Sequence, residues 1–168
     1  MPNILIVVDM QEGFRYNNVE RIIPKIKMLL GKAKTAAVFT KFVDKKGSEF
    51  DIVLHWSKFV RKKDQELLCE FARFSDLKTI THNGLNILTK NMLKEIKRRR
   101  ANTVYLCGVY SDVSIGKAAM DLFDKKIDVK IVSDATTSQN AAYNKYVLAS
   151  LRRVIGKKNI VKSADVAI

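Results

Sequence analysis

Apolar residues follow two rhythms along this chain. Short, nearly continuous runs of β-branched and aliphatic residues occur at 3–8, 35–43, 77–82, 103–107, 127–132 and 158–161. A run of that length with no polar alternation has both faces covered, which is the habit of strands in a parallel sheet. Between the runs the spacing changes to threes and fours. Val19, Ile22, Ile23, Ile26 and Leu30 form one set, and Leu88, Met92 and Ile96 a second. Ile115, Ala118, Ala119, Leu122 and Phe123 form a third, and Val147, Leu151 and Val154 a fourth. Each set makes one apolar stripe on a helix. Pro24 falls inside the first set, so that helix is expected to start irregularly or near the proline. Asp64 is placed to cap a further helix through Leu67, Leu68 and Phe71. Residues 50–60 are apolar without a clear period and read as a lid or short helix.

Strands alternating with helices at this spacing predict an α/β fold: one doubly wound, six-stranded, mainly parallel sheet with helices on both faces. No linker, internal repeat or low-complexity stretch interrupts the pattern. The 168 residues, 47% of them hydrophobic, suit a single domain spanning 1–168.

Charge and cysteine usage narrow the class. The formal net charge is +14, which raises the question of an anionic partner. The densest basic run, Lys94 to Arg100, closes a helix, where cations complement the dipole. No nucleic-acid-binding signature accompanies it, so the charge reads as solvated helix faces and nucleic acid is not an expected partner. No apolar run approaches about 18 residues, so no transmembrane helix is expected. The start shows no secretory pattern. Cys69 and Cys107 have no paired spacing, which fits a reducing, cytoplasmic setting.

The stretch 103–138 is the centre of the chain. Its strand ends at Gly108, a tight turn follows, and a helix begins near Ser114. In open α/β sheets ligands bind at the carboxyl ends of strands, so this turn and the residue after the first strand, Asp9, are the places for chemistry. Gly108-Val109-Tyr110-Ser111-Asp112-Val113-Ser114-Ile115 closely resembles the turn of the isochorismatase-like (cysteine) hydrolases. Leu5 through Phe14 is similar to that family's first strand and Asp-x-Gln loop. The resemblance covers nearly the whole chain.

The resemblance implies a site made of an aspartate (Asp9), a supporting lysine before the third helix, and a cysteine at the helix start after the fourth strand. It also implies a cis peptide at Val109–Tyr110, oxyanion donors in that turn, and a substrate surface drawn from Val109, Tyr110, Gln11, Phe14, His82 and Thr79. Two positions depart from the pattern. Ser114 stands where the cysteine belongs. The lysine position, matched on Thr79 to Leu85, holds Thr79, with Lys78 one residue early. A one-residue shift turns a strand side chain to the other face, so Lys78 serves only if a bulge corrects the register. Otherwise Lys78 is a solvated edge residue, and Thr79 faces the pocket.

Serine changes the energetics. A carboxylate base near pKa ~4 takes a proton from a thiol near ~8.5 at a cost of about 6 kcal/mol. For an alcohol near ~15.7 the gap is roughly 12 units, about 16 kcal/mol. Two function classes follow. One is a hydrolase acting on a small amide or enol ether, in one reading anionic, using Asp9, Ser114 and Lys78. The other is a family member without catalysis that binds a ligand or acts structurally. In the enol-ether route Asp9 protonates the substrate and no nucleophile is needed. No metal is expected, because residues 44–56 hold only His55 as a nitrogen ligand. No cofactor is expected. The partner is a small-molecule substrate, and the resemblance implies a homo-oligomer, with residues 56–60 at an interface or over the pocket.

Overall fold

The structure is a computed structural model and describes residues 2–168. Six strands form one sheet: β1 (Asn3–Val8), β2 (Ala37–Phe42), β3 (Thr79–His82), β4 (Thr103–Gly108), β5 (Asp128–Thr136) and β6 (Ile160–Val161). Their spatial order is β3-β2-β1-β4-β5-β6, and every neighbouring pair is parallel. The chain thus winds outward in one direction from β1 and then in the other from β4. The crevice beyond the carboxyl ends of β1 and β4 is the topological switch point, where open α/β sheets bind ligands.

The central strand shows why the sheet is covered twice. Leu5 and Val7 pack with Val19, Ile22, Ile26 and Leu30 on one face. Ile4, Ile6 and Val8 pack with Met92, Ile96, Ala118, Leu122 and Leu151 on the other. Strand alternation therefore feeds two separate cores from one apolar run. The first core belongs to α1 (Asn17–Ala33). Its helix passes straight through Pro24, whose exposed position puts the one missing backbone bond on the solvent side. Two short helices, α2 (Glu49–Ile52) and α3 (Lys62–Gln65), lie in the long β2–β3 connection. The second core belongs to α4 (Lys90–Arg98), α5 (Gly116–Asp124) and α6 (Ala141–Val154).

Two segments differ from the sequence expectation, each for a visible reason. The expected helix over 64–71 breaks after Gln65. Glu66 O accepts from Glu12 N–H at 2.9 Å and Leu68 N–H donates to Met10 O at 3.0 Å, so 66–68 pair like a strand with the loop after β1. Asp64 sits inside α3 and holds Arg61 at 2.7 Å instead of capping. Strand β5 runs on to Thr136, past Ser133 and Asp134, because Asp134 accepts from the backbone and hydroxyl of Ser163 at 2.7 and 2.8 Å. Those bonds satisfy polar groups that would otherwise argue for a loop.

Residues 50–60 form a capped turn and a flap. Ser48 Oγ accepts from Asp51 N–H to start α2, and Phe59, fully buried, pins the far end.

Candidate functional site

Asp9 directly follows β1, with a left-handed backbone at φ +51°. It is 2% exposed. Its carboxylate Oδ1 accepts from Thr40 Oγ1–H at 2.6 Å, while its own N–H donates to the same hydroxyl at 3.1 Å. The second side-chain partner of Asp9 is His82, whose Nε2 lies 2.8 Å from Oδ1. The imidazole Nδ1 lies 2.8 Å from Gly84 O. Asp9, Thr40 and His82 thus come from the carboxyl ends of β1, β2 and β3. The Asp9 Oδ2 atom has no protein hydrogen-bond partner among the described residues. Burial pushes the His82 pKa down, but the hydrogen bond and charge of Asp9, with the Gly84 carbonyl, raise it above the ordinary value.

The turn after β4 supplies the opposite wall. Gly108 has φ +108°, and a Cβ there would lie 2.2 Å from Val8 O, so only glycine lets β4 pass β1 this closely. The Val109–Tyr110 peptide is cis. Val109 N–H donates to Val8 O at 3.0 Å and Ser111 N–H to Thr137 O at 3.0 Å. Between them, the Tyr110 N–H has no backbone acceptor among the described residues. Residues Ser111–Ile115 form a π-helical turn leading into α5, and Ser114 lies in it, 7% exposed. Burial, then the hydrogen bond with Tyr16, raises the Tyr110 pKa and keeps its phenol protonated.

Asp9 and Ser114 open onto one cavity of about 360 Å³, whose other walls include Phe14, Phe42, Trp56, Tyr110 and Leu85. The aromatic rings brace each other. Phe14 lies 4.2 Å from Phe59 and edge-on to Tyr110 at 5.1 Å, and Phe42 lies edge-on to Phe50 at 5.0 Å. Such pairs stabilise beyond their buried area. No lysine or arginine lines the cavity.

The remaining sequence candidates fall elsewhere. Lys78 stays out of the site, the outcome expected where no bulge corrects the register: its Nζ lies 2.7 Å from Glu95 Oε2 on α4. Thr79, expected to face the pocket, is a correction: it opens β3, at the end remote from the cavity, and is exposed. Gln11 is fully buried, and its side-chain amide is spent on the scaffold. Nε2 donates to Phe42 O and Gln65 O, and Oε1 accepts from Phe42 N–H. Val109 has its N–H committed to Val8 and does not line the cavity. Phe14 and Tyr110 do line it. Thr40 went unread in the sequence, since a threonine inside an apolar strand carries no signal beyond strand propensity. Cys107 is buried, and burial alone raises its thiol pKa well above the ordinary range.

One group of described side chains has metal-ligand spacing: Glu12, Cys69 and Glu70. Arg15 already bridges these acids, with its Nη2 2.8 Å from Glu70 and its Nε 3.0 Å from Glu12. That pairing holds Glu70 down at about 2. None of the helices among the described residues is long and apolar enough to cross a membrane.

Comparison with known proteins agrees with this fold. The model of the isochorismatase domain matches residues 3–159. Isochorismatase domain-containing protein 2 of Xenopus laevis is 27% identical over 154 residues, covering 90% of this chain and 68% of that protein. An isochorismatase-like hydrolase from Alkaliphilus metalliredigens superposes with a TM-score of 0.86 at 16% identity, over 98% of this chain and 96% of that one. N-carbamoylsarcosine amidase from Thermoplasma acidophilum does so with a TM-score of 0.86 at 14% identity over the whole of both chains.

Proposed function

The chain belongs to the isochorismatase family, and from that premise we propose that it is a hydrolase of a small, uncharged, largely apolar amide. Asp9 is the base and Ser114 stands at the position of attack. The observation that carries this reading is the shared cavity: one carboxylate and one hydroxyl open onto an otherwise apolar, aromatic space. Pockets of this size and lining take small organic ligands oriented by a few polar groups. The free Asp9 oxygen is left to take the Ser114 proton, while the substrate carbonyl can turn to the Tyr110 N–H. A structural neighbour that is an amidase supports the reaction class.

The lining argues against the anionic enol-ether substrate. A carboxylate entering this cavity would lose its hydration and meet no lysine or arginine, and a buried charge without a partner is costly. The +14 charge lies on the outer faces and does not reach this space.

A second reading, ligand binding without turnover, is favoured by one observation. The Ser114 hydroxyl has no hydrogen bond to a base among the described residues: Asp9 Oδ1 and both imidazole nitrogens are engaged elsewhere, and the free Asp9 Oδ2 makes no bond to it. A nucleophilic serine needs such a base. Ammonia release from a panel of uncharged carboxamides, measured beside calorimetric binding, separates the two. Release that disappears in both Ser114→Ala and Asp9→Asn supports the hydrolase. Binding without release supports the second reading, and neither binding nor release removes both.

For assembly, Ile52, Val53 and Leu54 stand 64%, 68% and 65% exposed beside the cavity mouth. Their apolar run supports a contact between copies of this chain.

A further inference from the structure

We propose that His82 is the positioning residue of this site: held as a cation between two acceptors, it fixes Asp9 and makes the cavity floor an internally neutral ion pair. The argument is one of proton counting. Gly84 O is a carbonyl and can only accept, so at 2.8 Å the His82 Nδ1 must carry a hydrogen. In a neutral imidazole the other nitrogen would then be bare. That nitrogen, Nε2, lies 2.8 Å from Asp9 Oδ1, an oxygen that already accepts from the Thr40 hydroxyl at 2.6 Å. With Asp9 ionised, a bare Nε2 would set two lone pairs against each other in a site where both side chains are 2–3% exposed. Protonating Nε2 converts the clash into a charge-assisted bond of ordinary length.

The Phe42 ring packs against the imidazole at 5.6 Å and brings no charge. On its outer side His82 shares a cleft with Asp44, Lys45, Asn83, Thr89 and Lys90, so the carboxylate there is set against two lysines and that side gives the cation no net support. Of the ionisable groups around the ring, Asp9 is the one in hydrogen-bond contact, and the cationic state rests on that contact and on the Gly84 carbonyl.

The consequence for the ligand follows from the sum. Asp9, in the cavity wall, brings one negative charge and His82, bonded behind it, one positive, and no charged side chain besides Asp9 lines the cavity. The pair therefore selects an uncharged ligand, and His82 enforces it without touching that ligand. The inference rests on the reading of Asp9 as the working group, but its test reads His82 itself.

The chain has two histidines, and His55 is exposed, so nitrogen-15 NMR of the unmodified protein distinguishes them, with His82→Lys removing one signal for assignment. The expected result is two protonated nitrogens on His82 at pH 7, each with a slowly exchanging hydrogen. One bare nitrogen on His82 at that pH overturns the proposal. The positioning role is read in Ser114→Cys, whose iodoacetamide alkylation rate at pH 7 reports thiolate. Adding His82→Gln, which keeps a hydrogen bond but no charge, is expected to slow alkylation about tenfold, as one pKa unit would. His82→Lys is expected to restore it. Equal rates in all three proteins would remove the cation's role. If amide turnover is absent while the His82 signals are as expected, the hydrolase reading alone fails.

Discussion

Lys78 Nζ lies 2.7 Å from Glu95 Oε2, so the lysine nearest the resemblance's catalytic position is bound to a structural carboxylate. Glu95 is 2% exposed, and Arg98 and Arg99 also hold it, each at 2.6 Å. The Arg98 bond first, with those of Lys78 and Arg99, keeps the Glu95 pKa far below the ordinary carboxylate value in spite of burial. A depressed carboxylate contributes stability that is complete above its unfolded pKa, near ~4.3, and is lost as pH falls through the folded value. Replacing Glu95 by Gln is expected to cost about 1–3 kcal/mol at pH 7. The gap to the parent should narrow below about pH 4. Urea unfolding at pH 7 and pH 3 checks both. Lys78→Ala, with the lysine half in solvent, should cost under about 1 kcal/mol and leave ligand binding at the cavity unchanged.

The buried pair of Asp9 and His82 has the opposite sign. A histidine raised on folding contributes stability that is complete below its unfolded pKa of ~6.5 and is lost as pH rises through its folded value. Removing one member of a buried pair strands the other charge, at roughly 3–5 kcal/mol. His82→Gln should therefore be far less stable than the parent at pH 6, and the difference should shrink as the pH climbs. Thermal melts of both proteins from pH 6 to pH 9.5 measure it. A difference that grows with pH would contradict the pairing.

Ser114→Cys tests the turn after β4 as an electrostatic device. A thiol in the turn that leads into α5, sharing the cavity with Asp9, is expected to titrate below the ~8.5 of free cysteine. Alkylation rate against pH gives the value directly. A thiol that titrates at or above the free value would show that this turn does not prepare a nucleophile.

The flap over the cavity separates stability from recognition. Phe59 is fully buried and touches Phe14, Phe42 and Trp56, so Phe59→Ala should cost about 3–5 kcal/mol in denaturant unfolding. Trp56 is only partly buried and lines the cavity. Trp56→Ala should weaken ligand binding more than it lowers stability, measured by calorimetry beside the same unfolding curves.

Much of the fold was legible because strand and helix periods are local. The buried run of β1 and the stripe of α1 follow from residue type alone, and the turn from Gly108 to Ser114 carried its own pattern. Asp9, Phe14, Tyr110 and Ser114 sit in those patterns, and they come together at one cavity. The strand period already turned Lys78 away from Asp9, but its partner Glu95 was hidden, as were the places of Thr79 at a strand start and of Gln11 on the backbone of Phe42 and Gln65, because those relations are distant in sequence. The break after Gln65 was hidden for the same reason, since the pairing of 66–68 with Met10 and Glu12 has no local signature. The bond of His82 to Asp9 needs three strands in register before it exists.

That last point reaches beyond chemistry. His82 closes β3, a strand of four residues that forms one edge of the sheet and is bonded only to β2. Edge strands open at lower free energy than central ones, and hydrogen exchange reports such openings as local events. When β3 peels away, Asp9 loses its counter-charge while β1, β4 and both cores remain in place. On the role proposed for His82, the counter-charge of Asp9 is thus supplied by an edge of the sheet. A sub-global opening of β3 would unmake the pair with the helices and most of the sheet still folded.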